Sequence, residues 1–520
     1  DLARSIEQTH RKSIWVTETG ASGEWKLIDQ TFRLMQAIDD FSRIRSNPPT
    51  ATGELIECYL GSLRKIDQLH RNLLQTEEDL IERTAELEPL IESATNKYES
   101  LAGSYVKAFA LALSKEGWPP QHIPRNRDIF SRFVQPVLDG PEKVAYFLID
   151  SLRYELAVEL KSELERKHTV DLQTAAAQLP TITLVGMASL LPQAESKFGF
   201  SQEDDDVLPT MDGQALKNVK DRKDWFQKVF GTRYKDILLN DLVKGVSNKK
   251  LLSTVDLLVV RNTEIDAAGE TDASMALREI PRTLHKIRAS VSILAELGFH
   301  QCVIATDHGF HLRTNVKPGY KVTKPEGKWA LQKERCLIGD GSANDGVISC
   351  KLNEVGIPLA EGRFIAPKSL ATFVEGRGYF HSGVSLQECL LPVLTVKIGE
   401  TERPSDSVIV KLSYKNETTN KITTRRPLVE ISYHSEDLFS QDSIQILLEA
   451  RTSASELVGE AAIGKNVDPA TGLVELEPGR SVKVAIRMNE DFEGSFELLA
   501  LDPDTSKCHH KLKLKTDYIL

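Results

Sequence analysis

Val144-Ala-Tyr-Phe-Leu-Ile-Asp150 is a nearly continuous apolar run that ends in a carboxylate, and two later segments repeat the pattern. One spans residues 255–266 and ends in Asp266, and the other is Cys302-Val-Ile-Ala-Thr-Asp307-His308. Continuous runs of Val, Ile and Leu are typical of strands buried on both faces of a parallel sheet. Such sheets bind their ligands beyond the carboxyl ends of the strands. The three runs therefore predict an α/β domain with a polar, metal-binding edge.

Length and composition set wide limits on the class of protein. A chain of 520 residues is too long for one hydrophobic core and suggests two to four domains. A formal net charge of −10 means that any nucleic-acid contact needs a local basic patch. The six cysteines are scattered without a C-x-x-C pair, which favours a reducing compartment, and we expect the cytoplasm.

Two further features concern the context of the chain. No apolar stretch approaches the roughly 18 residues that a membrane-spanning helix needs, so no membrane association is expected. The sequence begins at Asp1 within a segment that already has a helical pattern. This beginning suggests that the chain is part of a longer protein.

The hydrophobic periodicity changes twice along the chain, which predicts three domains. Residues 1–118 carry leucines at three- and four-residue spacing among charged residues, as in packed helices. Strands and helices alternate over residues 119–402, after a proline-rich break, as in an α/β domain with a mostly parallel sheet flanked by helices. Residues 403–520 show short alternating strands separated by turn residues, which predicts a β-sandwich of Ig-like type.

Acidic residues and one histidine follow the predicted strands. Asp150 could be a metal ligand or only the N-cap of the helix after it. Asp266 and Glu270 are four residues apart and would share one face if the segment coils, although loop acids are often only solvated. Asp307 and His308 are the sharpest signal, because an adjacent carboxylate and imidazole supply mixed oxygen and nitrogen ligation.

Two other segments offer polar candidates of less specific type. Thr181 and Thr183 lie where a proline-led turn enters a helix, and the positive end of a helix favours an alkoxide there. Either threonine could instead merely cap that helix. His381 precedes a glycine turn, and an isolated histidine is more often structural than a ligand.

Electrostatics connects the four acidic candidates. If Asp150, Asp266, Glu270 and Asp307 converge, their carboxylates raise each other's pKa and cannot all ionise without cations. Two divalent ions about 4 Å apart would cancel this charge, and that arrangement clamps phosphoryl oxygens during in-line displacement.

Taken in order, five motifs between residues 140 and 400 resemble those of the alkaline phosphatase superfamily. They are Leu148-Ile-Asp150-Ser-Leu-Arg, Pro180-Thr-Ile-Thr183, Asn262-x-x-Ile-Asp266-x-x-Gly-Glu270, Thr306-Asp307-His308-Gly309 and His381-Ser-Gly. Within the superfamily the sequence resembles the PglZ family, named for a component of the BREX phage-defence systems of bacteria. The segment from Pro180 to Pro192 carries most of that resemblance.

The resemblance implies two metal ions and a nucleophile. The first ion would be held by Asp150, Asp307, His308 and the oxygen of Thr183. The second would be held by Asp266, Glu270 and His381. Zinc is the favoured metal, with manganese or magnesium as alternatives because of the added carboxylate of Glu270. The implied reaction is attack of Thr183 on a phosphoester, followed by hydrolysis of the phosphothreonine.

The basic segment and the function of the whole chain each allow two interpretations. The segment from Arg313 to Arg335 contains Lys321, Lys324 and Lys328, which could bind DNA or a nucleotide beside the site or could be only solvated. In the first interpretation, the chain is a phosphodiesterase that could be a nuclease and that acts with other defence-system proteins. The alternative is a scaffold subunit that binds partners and carries a vestigial metal site.

Overall fold

The structure is a computed structural model. It describes residues 21–80, 85–203, 206–244, 252, 255–313, 320–376, 378–399, 408–417, 419–435, 443–453, 456–462, 464, 466–468, 472–489, 491–503 and 508–518. The helix-like segment at the start of the sequence lies outside these residues.

The chain forms two compact units. The larger consists of residues 30–78 and 84–400, and the smaller contains the described parts of residues 1–29, 79–83 and 401–520. Helices between residues 30 and 116 thus belong to the same unit as the α/β sheet, and the predicted boundary at residue 118 stays a prediction. No helix in the described part of the chain has the length and hydrophobicity needed to cross a membrane.

The helices are numbered in chain order. They are α1 (Ala21–Ile44), α2 (Thr52–Cys58), α3 (Arg64–Asp79), α4 (Glu88–Glu116), α5 (Gln135–Leu138), α6 (Tyr154–Leu164), α7 (Thr183–Ser189), α8 (Ala194–Lys197), α9 (Val219–Phe230), α10 (Leu239–Val243), α11 (Glu264–Thr271), α12 (Ala273–Glu296) and α13 (Leu386–Cys389).

The strands of the larger unit form one six-stranded sheet and three smaller ones. They are β1 (Val144–Ile149), β2 (Thr169–Ala176), β3 (Phe198–Glu203), β4 (Asp206–Met211), β5 (Gln214–Ala215), β6 (Tyr234–Leu238), β7 (Leu257–Asn262), β8 (Gln301–Ala305), β9 (His311–Leu312), β10 (Gly327–Gln332), β11 (Leu337–Gly341), β12 (Val347–Lys351), β13 (Arg363–Pro367), β14 (Tyr379–Phe380) and β15 (Leu390–Lys397).

The six-stranded sheet has the order β2-β15-β8-β1-β7-β6. Strand β1 pairs in parallel with β7 and β8, and β6 pairs in parallel with β7. Strand β15 is antiparallel to both of its neighbours. Every residue of β1 is buried, as expected for a strand covered by helices on both faces. The predicted α/β architecture with a mostly parallel sheet is confirmed.

The register of the three central strands decides where the polar residues lie. Ile149 at the end of β1 is opposite Asn262 at the end of β7, and Leu148 is opposite Ala305 at the end of β8. Because the strands are parallel, the residues that follow them emerge at the same edge of the sheet. A two-stranded sheet of β9 and β14 leads the chain to His381.

The smaller unit is built almost entirely of strands. They are β16 (Val408–Ser413), β17 (Lys421–Ile422), β18 (Leu428–Ser435), β19 (Ile444–Arg451), β20 (Leu457–Ala461), β21 (Val474–Leu476), β22 (Ser481–Met488), β23 (Ser495–Leu501) and β24 (Cys508–Thr516).

These strands form one sheet with the order β16-β18-β22-β20-β19-β23-β24-β17, and β21 pairs with β19. The sheet curls, so that the backbone N–H of Leu412 in β16 donates to Nδ1 of His510 in β24 at 3.3 Å. Alternate residues of β19 and β22 point into the apolar core of the curl. A β-rich C-terminal unit is confirmed, whereas its assignment as an Ig-like sandwich stays a prediction.

Candidate metal centre

Two carboxylates lie side by side at the edge of the sheet. Asp150 directly follows β1, and its backbone N–H donates to the carbonyl of Asn262 at 2.9 Å. Asp307 follows β8 by two residues, and Asp150 and Asp307 are at most 2% exposed. Helix α6 begins at Tyr154, its N-cap is Arg153, and no side chain caps it. The alternative interpretation of Asp150 as the N-cap of this helix is therefore wrong.

One oxygen of each carboxylate is buried without a hydrogen-bond partner among the described residues: Oδ1 of Asp150 and Oδ2 of Asp307. Burial, followed by the charges of Asp307 and Asp266, raises the pKa of Asp150 well above its ordinary value. Burial also raises the pKa of Asp307, against the lowering effect of His308. Buried oxygens of this kind are costly unless they bind a cation.

His308 completes a first group of ligands with these two carboxylates. Its Nε2 lies 3.7 Å from Oδ1 of Asp150 and 3.4 Å from Oδ2 of Asp307. The candidate ligand atoms of the three residues all lie within 4.8 Å of one another. Nδ1 of His308 lies 3.2 Å from the carbonyl oxygen of Gly309, which only accepts hydrogen bonds. This contact favours a proton on Nδ1 and leaves the Nε2 lone pair for a metal.

A second group consists of Asp266, His381 and the same His308. Nε2 of His381 lies 3.7 Å from Oδ1 of Asp266, and its ring stacks on that of His308 with centroids 4.1 Å apart. Nδ1 of His381 donates to the carbonyl of Thr181 at 3.0 Å, which again leaves Nε2 for a metal. Burial, together with His308, lowers the pKa of His381 to about 4. The imidazole is therefore neutral at pH 7, as a metal ligand must be.

Ser151 and Tyr379 hold the ligands of both groups in place. The Ser151 hydroxyl donates to Oδ1 of Asp266 at 2.9 Å and lies 3.2 Å from Nδ1 of His308. The Tyr379 hydroxyl lies 2.8 Å from Oγ of Ser151 and 2.9 Å from the same Asp266 oxygen. Burial would raise the pKa of Asp266, but the two histidines and these hydroxyls lower it overall.

The sequence offered no signal for Ser151 and one weak signal for Tyr379. Ser151 has a φ of 63°, a left-handed conformation that few non-glycine residues adopt and that no sequence pattern revealed. Gly269 allows Tyr379 to approach, because a Cβ there would lie 2.4 Å from the tyrosine ring. A glycine between two candidate acids on one helix could have indicated such a close contact.

The two candidate threonines have different surroundings. Thr183 is the first residue of α7, is partly exposed, and its Oγ1 lies 3.2 Å from Nε2 of His308. Thr181 is fully buried, and its hydroxyl donates to the carbonyl of Gly383 at 2.9 Å. Only Thr183 therefore presents its hydroxyl to the first group of ligands.

Glu270 is the predicted ligand that fits the geometry least well. It lies one helical turn after Asp266 in α11, so the two side chains share a face. Glu270 is exposed, and it belongs to neither of the two groups found among the described residues. Its assignment to the second metal stays a prediction.

The basic segment is only partly described, because residues 314–319 lie outside the described part. Lys321, Lys324 and Lys328 are exposed, as binding would require. Lys321 pairs with Glu375 at 3.1 Å. Trp329, which could have stacked on a base, is 7% exposed and packs in a small apolar cluster. The three lysines remain candidates for attracting DNA or a nucleotide to the site, whereas Trp329 has no exposed ring face on which a base could stack.

Comparison with known families agrees with this geometry. The family model described as the BREX system PglZ alkaline phosphatase-like domain matches residues 129–396. The match covers the six-stranded sheet except for Lys397, the last residue of β15, and it covers each of the two ligand groups.

Two curated proteins are also similar to the chain. One is the alkaline phosphatase-like protein PglZ of Bacillus cereus (strain H3081.97), 26% identical over 423 residues, which are 77% of this chain and 48% of that protein. The other is the alkaline phosphatase-like protein BrxZ of Escherichia coli O9:H4 (strain HS), 25% identical over 338 residues, which are 61% of this chain and 36% of that protein. The chain thus spans half or less of the length of each relative.

Proposed function

Because the chain belongs to the PglZ family, whose domain is alkaline phosphatase-like, we propose that it hydrolyses phosphoester bonds with two divalent metal ions and with Thr183 as nucleophile. The physiological setting is BREX defence against phage, in contact with other proteins of that system. The substrate class is a phosphodiester, and DNA is the first candidate.

This proposal depends on one observation: Asp150 and Asp307 each have a buried carboxylate oxygen without a hydrogen-bond partner among the described residues. Removing a carboxylate from water costs free energy. If these two positions served only to pack the core, apolar side chains there would make the protein more stable. The nitrogen and oxygen donors around them suit zinc, with manganese and magnesium as alternatives. The same oxygens weigh against a vestigial site in a scaffold protein, because no described residue forms a hydrogen bond with them.

In the proposed reaction, Thr183 is the nucleophile. Bound divalent ions would supply positive charge that favours the alkoxide of Thr183 and stabilises the phosphoryl oxygens. The Thr183 oxygen attacks phosphorus, and the ester oxygen leaves with a proton. A water then attacks the phosphothreonine, releases phosphate or a phosphomonoester and restores the hydroxyl. Two in-line displacements give net retention of configuration at phosphorus.

The nucleophile is tested by two substitutions at one position. Thr183→Ala should abolish hydrolysis of a chromogenic phosphodiester in the presence of zinc or manganese, whereas Thr183→Ser keeps a hydroxyl and should retain activity. Both variants should keep the thermal stability of the wild type, since Thr183 is partly exposed. Full activity of Thr183→Ala would refute the assignment.

The basic segment is tested separately from the chemistry. Changing Lys321, Lys324 and Lys328 together to Glu should slow hydrolysis of DNA at low salt but leave that of a small chromogenic ester unchanged. Equal rates on DNA before and after the change would exclude the steering role.

A further inference from the structure

A cleft opens beside Thr183 and Asp150, on the side of the sheet edge covered by helix α9. Its apolar walls include Met187, Leu191 and Phe226, each at most 6% exposed. Low-dielectric walls of this kind strengthen the interaction between a charged side chain and an ionic ligand. The charged groups in the cleft therefore decide what it can bind.

Two of the three cations in the cleft already have a partner. Nε and Nη2 of Arg261 each lie 2.7 Å from an oxygen of Asp236. Nζ of Lys223 also lies 2.7 Å from Asp236. These three side chains form an ion cluster within the cleft lining, which leaves little of their positive charge for a ligand.

Arg222 is the third cation, and it differs from the other two. The residue lines the cleft and is partly buried, and its side chain makes no hydrogen bond or ion pair with any described side chain. Asp150 and Thr183 line the same cleft, so Arg222 lies near the metal-ligand edge of the sheet. Consecutive residues on α9 point about 100° apart, so Arg222 does not follow Lys223 toward Asp236.

We propose that Arg222 binds a non-bridging oxygen of the phosphoryl group that Thr183 attacks. This assignment rests on the proposed phosphoester hydrolysis and names the chemical group that the cleft recognises, a phosphate oxyanion. A guanidinium presents planar, paired N–H donors that match two phosphate oxygens. The cost of leaving it partly buried without a partner is offset when the anion arrives.

The alternative role for Arg222 is to act only as a counter-ion to Asp150 and Asp307, without binding phosphate. That role predicts a different response to substitution, because removing the cation would change the binding of metal ions and leave the binding of anions unaffected. The two roles can therefore be separated by measuring both kinds of ligand on the same variants.

The test uses the full chain loaded with manganese and inorganic phosphate as the probe. Calorimetry should show phosphate binding about 10–100-fold weaker in Arg222→Gln, the range expected for loss of a charged hydrogen bond. Arg222→Lys should recover part of the affinity. Lys220→Gln removes the same charge from the same helix at a side chain that is 80% exposed, and it should bind phosphate as the wild type does.

The outcomes separate this inference from the proposed function. Phosphate affinity lost in Arg222→Gln and kept in Lys220→Gln supports the inference, whether or not the wild type hydrolyses the ester. Unchanged phosphate affinity in Arg222→Gln overturns it, even if the enzyme is active and Thr183→Ala is not. A change confined to manganese affinity also overturns it in favour of the counter-ion role.

Discussion

Replacing Gly186 by alanine should harm both the stability and the activity of the protein, although the residue lies inside a helix. A Cβ at this position of α7 would lie 2.5 Å from Cβ of Asp307 and 2.8 Å from its carbonyl oxygen. Ordinary contacts begin at 3.4 Å, so the helix and Asp307 would have to separate by about 1 Å. Thr183, three residues earlier on the same helix, would move with it.

The magnitude follows from two opposing effects. Overpacking typically costs about 1–3 kcal/mol, and the obstructing atoms here are a Cβ and a backbone carbonyl that cannot rotate away, which favours the upper half. Exchanging glycine for alanine in a helix stabilises by about 1 kcal/mol. We therefore expect the free energy of unfolding to fall by about 1–2 kcal/mol. A misplacement of about 1 Å at the nucleophile should lower kcat about 100-fold.

The assay compares Gly186→Ala with Gly103→Ala. Gly103 lies within helix α4, and a Cβ there would have no neighbour within 4 Å. This control should raise the urea midpoint and keep full activity on a chromogenic phosphodiester. If Gly186→Ala is as stable as Gly103→Ala and equally active, the close approach of α7 to Asp307 is wrong.

Three other changes test the surroundings of the site. Tyr379→Phe removes a hydroxyl 2.9 Å from Asp266 and should lower manganese affinity about 10-fold by calorimetry; unchanged affinity would deny it a supporting role. Asp307→Asn removes a buried charge, so the metal-free protein should gain about 1–3 kcal/mol of unfolding free energy and lose its stabilisation by manganese. An undiminished manganese response would exclude Asp307 as a ligand. Burial, aided by nearby arginines, lowers the pKa of His70 to about 3. The unfolded chain therefore takes up this proton first, and stability should fall by about 2 kcal/mol between pH 7.5 and pH 5, less so in His70→Gln. Equal pH slopes in the two proteins would contradict this.

The residues that could be predicted from the sequence are those that directly follow a strand. Asp150, Asp307 and His308 come after apolar runs whose length and composition identify buried parallel strands, and parallel strands bring their carboxyl ends to one edge. The alignment of Ile149 with Asn262 agrees with this expectation. The family resemblance added His381, for which the local sequence offered only a glycine turn.

The supporting residues could not be predicted in this way, because their roles depend on contacts between distant parts of the chain. Tyr379 meets Ser151 across 228 positions. Arg222 lies in an amphipathic helix where its spacing resembles that of any solvent-exposed arginine. The curl of the C-terminal sheet likewise depends on pairing between strands that are not consecutive, such as β19 with β23. Local periodicity identifies the strands but not their neighbours.

The carboxylates of the two ligand groups differ in how many hydrogen bonds they already accept. If the proposed function is correct, this difference determines which metal ion binds first. In the first group, Asp150 and Asp307 each keep one buried oxygen without a hydrogen-bond partner among the described residues, and the charge of Asp307 adds to burial in raising the pKa of Asp150. A cation there removes repulsion and displaces no hydrogen bond from these two oxygens. In the second group, Oδ1 of Asp266 already accepts hydrogen bonds from Ser151 and Tyr379. The ion beside Thr183 should therefore bind first and more tightly.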